Sequence, residues 1–127
     1  MKIKITPIIA LLFFYNQLVC PQFTMLYNFP RTFDIQHPSY AQFVSDGTWL
    51  YGTTKDGGAN GAGAIFRIMP DGTGYLKLKE FGGVPDGAAP YGPLTISGNV
   101  LYGTTSAGGI NNGGSIFRIN NDGTGYH

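Results

Sequence analysis

The sequence predicts an all-β fold, an antiparallel β-propeller-like repeat array of about two four-stranded blades, which is an incomplete propeller. Twenty glycines and 8 prolines among 127 residues argue against a helical bundle, because these two residues are the poorest helix formers. Residues 50–75 match residues 101–126 at an offset of 51 without a gap, and 18 of the 26 positions are identical. Apolar and polar residues alternate between glycine-rich turns, which is typical of β-strands.

The first 20 residues have the features of a secretory signal peptide. Two lysines precede an apolar run at residues 8–15, which is far shorter than the roughly 20 residues that span a bilayer. We therefore expect a secreted or cell-surface protein. Cleavage after Cys20 would leave Pro21 as the first mature residue, and two alternatives stay open, an uncleaved anchor and a lipoprotein acylated at Cys20.

The repeat runs from about residue 24 to 75 and from about 76 to 126. Gly52 and Gly103 lie within predicted strands, where a glycine usually marks the close approach of another group. Reverse turns are predicted at residues 45–48 and 70–74. The strands predicted in and directly after the first repeat are residues 24–29, 41–44, 49–54, 64–69 and 75–81.

Two repeats are fewer than a closed propeller needs, since propellers have about 4 to 8 blades. The second repeat also has no counterpart of residues 76–81 of the first. We interpret the chain as a C-terminally truncated stretch of a longer array, or as a protomer that completes its sheet with other copies. Self-assembly through open sheet edges is expected in the second case.

The repeated motifs resemble those of a known family. Leu-Tyr-Gly-Thr-Thr, Ile-Phe-Arg-Ile and Asp-Gly-Thr-Gly-Tyr occur in both repeats, and Phe-Gly-Gly with Asp-Gly-Ala-Ala-Pro-Tyr occurs at residues 81–91. These residues are similar to the GloVer tandem repeat of exported bacterial proteins with varied C-terminal anchors. The resemblance covers residues 24–126 and implies an extracellular or surface-attached β-propeller-like protein. The sequence departs from the pattern in its irregular residues 30–38 and in its two copies.

Charge and composition limit the partners. The net charge is +1 and the sequence has no basic stripe, so we do not expect the protein to bind nucleic acid. One cysteine and two isolated histidines predict no disulfide framework and no metal site. We predict no cofactor, and peripheral or no membrane association after export.

No catalytic set stands out. Asp71 and Asp122 recur between the repeats in Asp-Gly-Thr-Gly, but one carboxylate per loop and no bidentate Glu exclude an EF-hand. A turn in which Asp accepts a backbone amide accounts for both copies. Recurrence is expected of structural residues, whereas an active site is usually built once, so we predict no catalytic residues and no enzymatic activity.

Three aromatic residues are candidate ligand-binding residues, namely Tyr51, Tyr102 and Trp49, whose rings could stack on sugars. The alternative, packing between blades, is more common for strand aromatics at repeat-equivalent positions. Arg67 and Arg118 are expected to face outward or to pair with an Asp of a neighbouring blade. The glycine-rich loops at residues 55–63 and 106–114 lack a phosphate-loop motif.

These observations predict an exported, non-enzymatic scaffold that binds a polysaccharide or a surface protein. Two alternatives remain at this point. The chain could be a fragment of a carbohydrate-active enzyme on a propeller scaffold, or a purely structural surface protein.

Overall fold

The computed structural model describes residues 24–29, 36–38 and 42–127. The predicted leader with its Cys20 and the irregular residues 30–35 lie outside the described residues. The described part of the chain has no helix, and thus none long and apolar enough to cross a membrane. Its strands are β1 (Val44–Ser45), β2 (Leu50–Thr54), β3 (Ala64–Ile68), β4 (Leu76–Glu80), β5 (Gly87–Pro90), β6 (Thr95–Ser97), β7 (Val100–Gly108) and β8 (Ser115–Asn120).

The first sheet is an antiparallel meander in the order β1-β2-β3-β4. Its turns form where they are predicted, because short polar side chains hold the backbone. The Asp46 carboxylate accepts the Thr48 and Trp49 backbone N–H groups at 2.9 and 2.8 Å. After β3, Gly72 has a φ of 86°, which glycine adopts without the steric cost of a Cβ.

The second sheet is built around the nine-residue strand β7. Strand β8 pairs along one edge of β7, while β6 pairs with residues 100–102 and β5 with residues 105–108 along the other. The structure thus confirms an all-β fold with two four-stranded antiparallel sheets. These sheets do not close into a ring within the described residues, so the predicted propeller is not confirmed.

Each sheet has two faces of different composition. Direct pairing of Tyr51 with Arg67 and of Gly52 with Phe66 places the pairs on opposite faces, which confirms the predicted alternation. We call one the leading face, formed by Tyr51, Thr53, Ile65 and Arg67 in the first sheet and by Tyr102, Thr104, Ile116 and Arg118 in the second. The other is the trailing face, formed by Leu50, Gly52, Phe66 and Ile68 in the first sheet and by Leu101, Gly103, Phe117 and Ile119 in the second.

The strand glycines allow aromatic rings to lie directly on the trailing faces. A Cβ built on Gly103 would lie 2.5 Å from Cζ of Phe117, and one on Gly52 would lie 2.9 Å from Cζ of Phe66. Both distances are below van der Waals contact. The prediction that these glycines mark close packing is therefore confirmed.

The main core lies between the two sheets, where the leading face of the first packs on the trailing face of the second. Burial of this apolar surface is the main stabilising term that joins the repeats. Its buried residues are Tyr51, Ile65, Phe81, Leu94, Leu101, Phe117 and Ile119.

Residues 24–29 form no strand, so the predicted first strand is wrong. They lie against the trailing face of the first sheet, with the Tyr27 ring stacked on Tyr75 at 4.2 Å and the Phe29 ring edge-on to Phe66 at 5.5 Å. Their repeat counterpart, residues 76–81, contains β4, which pairs with β3 of the preceding repeat. No described residues before residue 24 supply such a partner strand.

Candidate functional site

Trp49, the first candidate ligand-binding residue, is half-buried beneath an arginine. The guanidinium carbon of Arg67 lies 4.2 Å from the centroid of the indole, a cation–π distance. Arg67 Nη1 donates to the carbonyl oxygen of Asn121 at 3.4 Å. The hydrogen-bond partner in the neighbouring repeat is therefore a backbone carbonyl. The positive charge of Arg67, after the hydrogen bonds from Thr124, also contributes to the lowered pKa of Asp122 in that repeat.

Tyr51, the second candidate, is fully buried between the sheets. Its hydroxyl donates to Oδ2 of Asp46 at 2.6 Å. This hydrogen bond and those from the Trp49 and Thr48 backbone lower the pKa of Asp46 to about 2. Burial, with the adjacent carboxylate, raises the pKa of Tyr51 to about 12. The pair is a structural junction, and the Tyr51 ring has no face open to solvent.

Tyr102, the third candidate, is the exposed counterpart of Tyr51. Its side chain is 40% exposed, whereas that of Tyr51 is 0% exposed. Both lie on leading faces in the same Leu-Tyr-Gly-Thr-Thr motif, but Tyr102 lies on the far side of the second sheet. The structure therefore brings Trp49 and Tyr51 together and leaves Tyr102 apart.

The glycine-rich loops converge at one end of both sheets, which we call the rim and define as residues 55–63, 82–86 and 106–114. Backbone hydrogen bonds connect the repeats here, since Ala89 N–H donates to the carbonyl of Ala62 at 2.8 Å and Phe81 N–H to that of Gly63 at 2.9 Å. Gly109 N–H also donates to the Asp86 carbonyl. The rim is thus held in place by main-chain contacts.

Asp86 anchors the base of the rim. Its Oδ2 accepts from Lys79 Nζ at 2.7 Å and from the Gly82 N–H at 3.0 Å. Burial works to raise the pKa of Asp86, but the hydrogen bonds from Lys79 and Tyr126 outweigh it and hold the pKa below its ordinary value. Burial and the same carboxylate raise the pKa of Tyr126. Asp86 is therefore an ionised structural group whose Oδ2 holds the contacts at the base of the rim.

The recurrent Asp residues form turns, as predicted. Asp71 Oδ1 accepts the Thr73 N–H at 2.9 Å and the Thr73 hydroxyl at 2.7 Å. Asp122 and Thr124 repeat both contacts at the same distances. Among the residues that the structure describes, no group of three His, Cys, Asp or Glu side chains could hold a metal ion.

Two hollows open on the outer faces of the sheets. A cleft of about 350 Å³ lies on the leading side of the second sheet, and an apolar groove of about 230 Å³ lies on the trailing side of the first. The cleft is lined by Thr104, Thr105, Gly113, Gly114, Ser115 and Ile116. The groove is lined by residues 24–27 and by Phe29, Phe43, Leu50, Phe66 and Ile68.

Sequence reasoning did not single out Phe43 in the groove or Asp46 at the junction. The repeat could have pointed to Phe43, because this residue stands 51 positions before another apolar residue, Leu94. In the structure, both side chains pack against a strand glycine. The repeat could not have pointed to Asp46, because Ser97 occupies the corresponding position in the second repeat.

A sequence model of the family described as the Gloeobacter/Verrucomicrobia repeat matches residues 12–127. This match confirms the resemblance to a tandem-repeat family of that kind. Neither a curated protein nor a solved structure matches the chain.

Proposed function

Because the chain belongs to the Gloeobacter/Verrucomicrobia repeat family, we propose that it is an exported, non-enzymatic, propeller-like repeat protein that acts as an extracellular or cell-surface binding scaffold. The leader-like residues 1–20 support export. The stacked sheets support a scaffold role, since the first sheet buries its leading face on the second and both repeats present their loops at the same end.

The observation that carries this proposal is the rim. Loops on a rigid scaffold commonly carry recognition, and these loops are joined across the repeats by main-chain hydrogen bonds. Ordered loops lose less conformational entropy on binding than flexible ones do. Ile110, at the tip of the second loop, is 86% exposed.

The rim chemistry favours a polysaccharide as the ligand. Asn60 Nδ2 donates to the Phe81 carbonyl at 3.3 Å and Asn112 Oδ1 accepts the Gly108 N–H at 3.0 Å. The other amide atoms of these two exposed residues, and the amide of Asn111, face a ligand approaching the rim.

The carboxylate of Asp86 is already paired with Lys79. The rim also carries Lys55 and Asp56, whose opposite charges leave it without net charge. A surface without net charge and with isolated apolar side chains suits hydroxyl-rich, uncharged ligands better than it suits polyanions.

The test is a glycan array of neutral and acidic polysaccharides, followed by titration calorimetry of any hit with Ile110→Ser and Asn111→Ala. We expect saturable binding that weakens by about tenfold in a rim variant, the loss of one good contact. Ile116→Ser, which alters an isoleucine of similar exposure on the leading face, is the matched control and should bind as the wild type does.

The absence of saturable polysaccharide binding, or rim variants that bind like the wild type, would contradict the proposal. Capture of a surface protein through the rim would retain the scaffold and change the ligand class. Release of shortened saccharide products would indicate the enzyme alternative.

A further inference from the structure

We propose that copies of this chain associate head to tail, with the leading face of the second sheet in one copy docked on the trailing face of the first sheet in the next. The partner is a second copy of the chain. This inference does not depend on what the rim binds, and it follows from an interface that the chain already makes once between its own repeats.

The donor surface is the open leading face of the second sheet. Ile116 is 82% exposed, although its repeat counterpart Ile65 is 0% exposed, and Tyr102 and Tyr51 differ in the same direction. In each of these two pairs the residue type is the same. The difference arises because the second sheet covers Tyr51 and Ile65, and no described residue covers Tyr102 and Ile116 in the same way.

The acceptor surface is the apolar groove on the trailing face of the first sheet. In the second sheet, the equivalent surface receives Tyr51 and Ile65. At offsets of 51 and 52 the two acceptor sets correspond residue by residue. The second sheet uses Phe81, Leu94, Leu101, Phe117 and Ile119, and the first sheet has Phe29, Phe43, Leu50, Phe66 and Ile68 at these positions.

Part of the groove is uncovered. Phe66 and Ile68 are already buried, whereas Met25 and Leu26, which also line the groove, are 65% and 44% exposed. Phe43 is 51% exposed, whereas its counterpart Leu94 is 6% exposed. Contiguous exposed apolar surface of this kind marks an interaction site more often than an isolated exposed residue does. The chain therefore carries both halves of the interface at its two outer faces.

The cleft beside Ile116 has the same explanation. Its equivalent in the first sheet is filled by β5 of the second, where Pro90 Cδ lies 2.8 Å from the place a Cβ on Gly63 would occupy. The Ala89 N–H also donates to the Ala62 carbonyl there. A docked copy would fill the cleft with the corresponding part of its own first repeat.

The same placement would bring a strand to the outer edge of β8. Arg118 exchanges both backbone hydrogen bonds with His127 at 3.0 Å on that edge, and alternation directs the N–H and C=O of Ile116 to the same side. In the first sheet this edge carries β4, with Ile65 opposite Lys79. The equivalent pair across copies is Ile116 and Tyr27, and such strand addition supplies main-chain hydrogen bonds.

Two sequence differences between the repeats make this interface between copies weaker than the one between the two repeats of a single chain. Ser97 stands at the position equivalent to Asp46, so Tyr102 would lack a carboxylate acceptor. Val100 stands at the position equivalent to Trp49, so Arg118 would lack an indole on which to stack. We therefore expect reversible, concentration-dependent association. A heterologous interface of this kind grows or closes into a ring, and a ring of about 4 to 8 blades would take about two to four copies.

The experiment measures the mass of the purified chain by sedimentation equilibrium at protein concentrations up to about 1 mM. Association with a dissociation constant as weak as about 1 mM is then still detected. Ile116→Arg changes the donor face and Phe43→Arg the acceptor groove, so that the two altered surfaces repel each other. Both residues are exposed, and circular dichroism verifies that each variant folds. Ile110→Arg on the rim introduces the same charge at a similarly exposed isoleucine and is the matched control.

We expect a concentration-dependent mass for the wild type and for Ile110→Arg, and dissociation constants at least about tenfold higher for each face variant, as for a central interface residue. An equimolar mixture of the two face variants should form a dimer and nothing larger, because each retains the half that the other lacks. A wild type that stays monomeric, a face variant that associates like the wild type, or a mixture that forms no dimer overturns the proposal. Loss of polysaccharide binding would leave it standing.

Discussion

Replacing Gly103 by alanine tests whether the strand glycines are required by ring packing on the trailing face. The new Cβ would lie 2.5 Å from Cζ of Phe117 and 2.9 Å from Cδ2 of Leu94. Ordinary carbon contacts are about 3.5 to 4.0 Å, so the ring must move by about 1 Å. Both neighbours are buried, which leaves them little room to move.

The expected magnitude follows from two opposing terms. Overpacking a buried site costs about 1 to 3 kcal/mol, and alanine gains about 0.5 to 1 kcal/mol over glycine in a strand. We therefore expect Gly103→Ala to lower the free energy of unfolding by about 1 to 2 kcal/mol. Gly52→Ala should cost less, because one of its two close neighbours, Phe43, is exposed and can swing away.

The assay is urea unfolding followed by far-ultraviolet circular dichroism at low protein concentration, where association does not add to stability. Gly113→Ala is the control, since its φ is not in the left-handed region and nothing lies within 4 Å of its Cβ position. It should be neutral or stabilising by up to about 1 kcal/mol. A Gly103→Ala protein as stable as Gly113→Ala would refute the packing argument.

Three further outcomes distinguish the two repeats. Tyr51→Phe should destabilise by about 1 kcal/mol, because it removes a hydrogen bond to a carboxylate, whereas Tyr102→Phe should be neutral in the same urea titration. The pKa of Asp46 is lowered to about 2. Its ionised carboxylate therefore contributes fully to the free energy of unfolding above the ordinary pKa near 3.8, and this contribution is lost as the pH falls toward 2. In acid titrations, an Asp46→Asn protein should lose less stability than the wild type over that pH range. Arg67→Lys should cost about 1 kcal/mol through its lost stacking on indole, and an equal loss in Arg118→Lys would contradict this assignment.

Much of the fold was predictable because its causes are local. The recurrent Asp-Gly-Thr-Gly turns form through hydrogen bonds between residues two apart, so the motif alone predicts them. The strands β2, β3 and β4 follow from alternation, and the role of Gly52 and Gly103 from their position within a strand. Residues 24–29 were predicted wrongly, because their composition suits a strand, but their repeat counterpart β4 pairs with a strand of the preceding repeat, and the described residues contain no such strand for them.

The candidate site was predictable only in part. The glycine-rich loops were visible as loops, but their convergence into one rim depends on hydrogen bonds between repeats. Arg67 was predicted to face outward or to pair with an Asp of the neighbouring blade, and it donates to the Asn121 carbonyl, a contact between residues 54 positions apart. No local pattern encodes such a contact.

The sequence by itself determined the repeat, the two strands that flank its glycine-rich loop and the turn chemistry, since each rests on neighbouring residues and on comparison of the two copies. Only the tertiary structure decided which copy of an identical residue is buried. Tyr51 and Tyr102 stand in the same motif, yet one is core and the other is surface. The physical reason is that burial depends on the sheet packed against a face, and the second sheet covers the leading face of only the first.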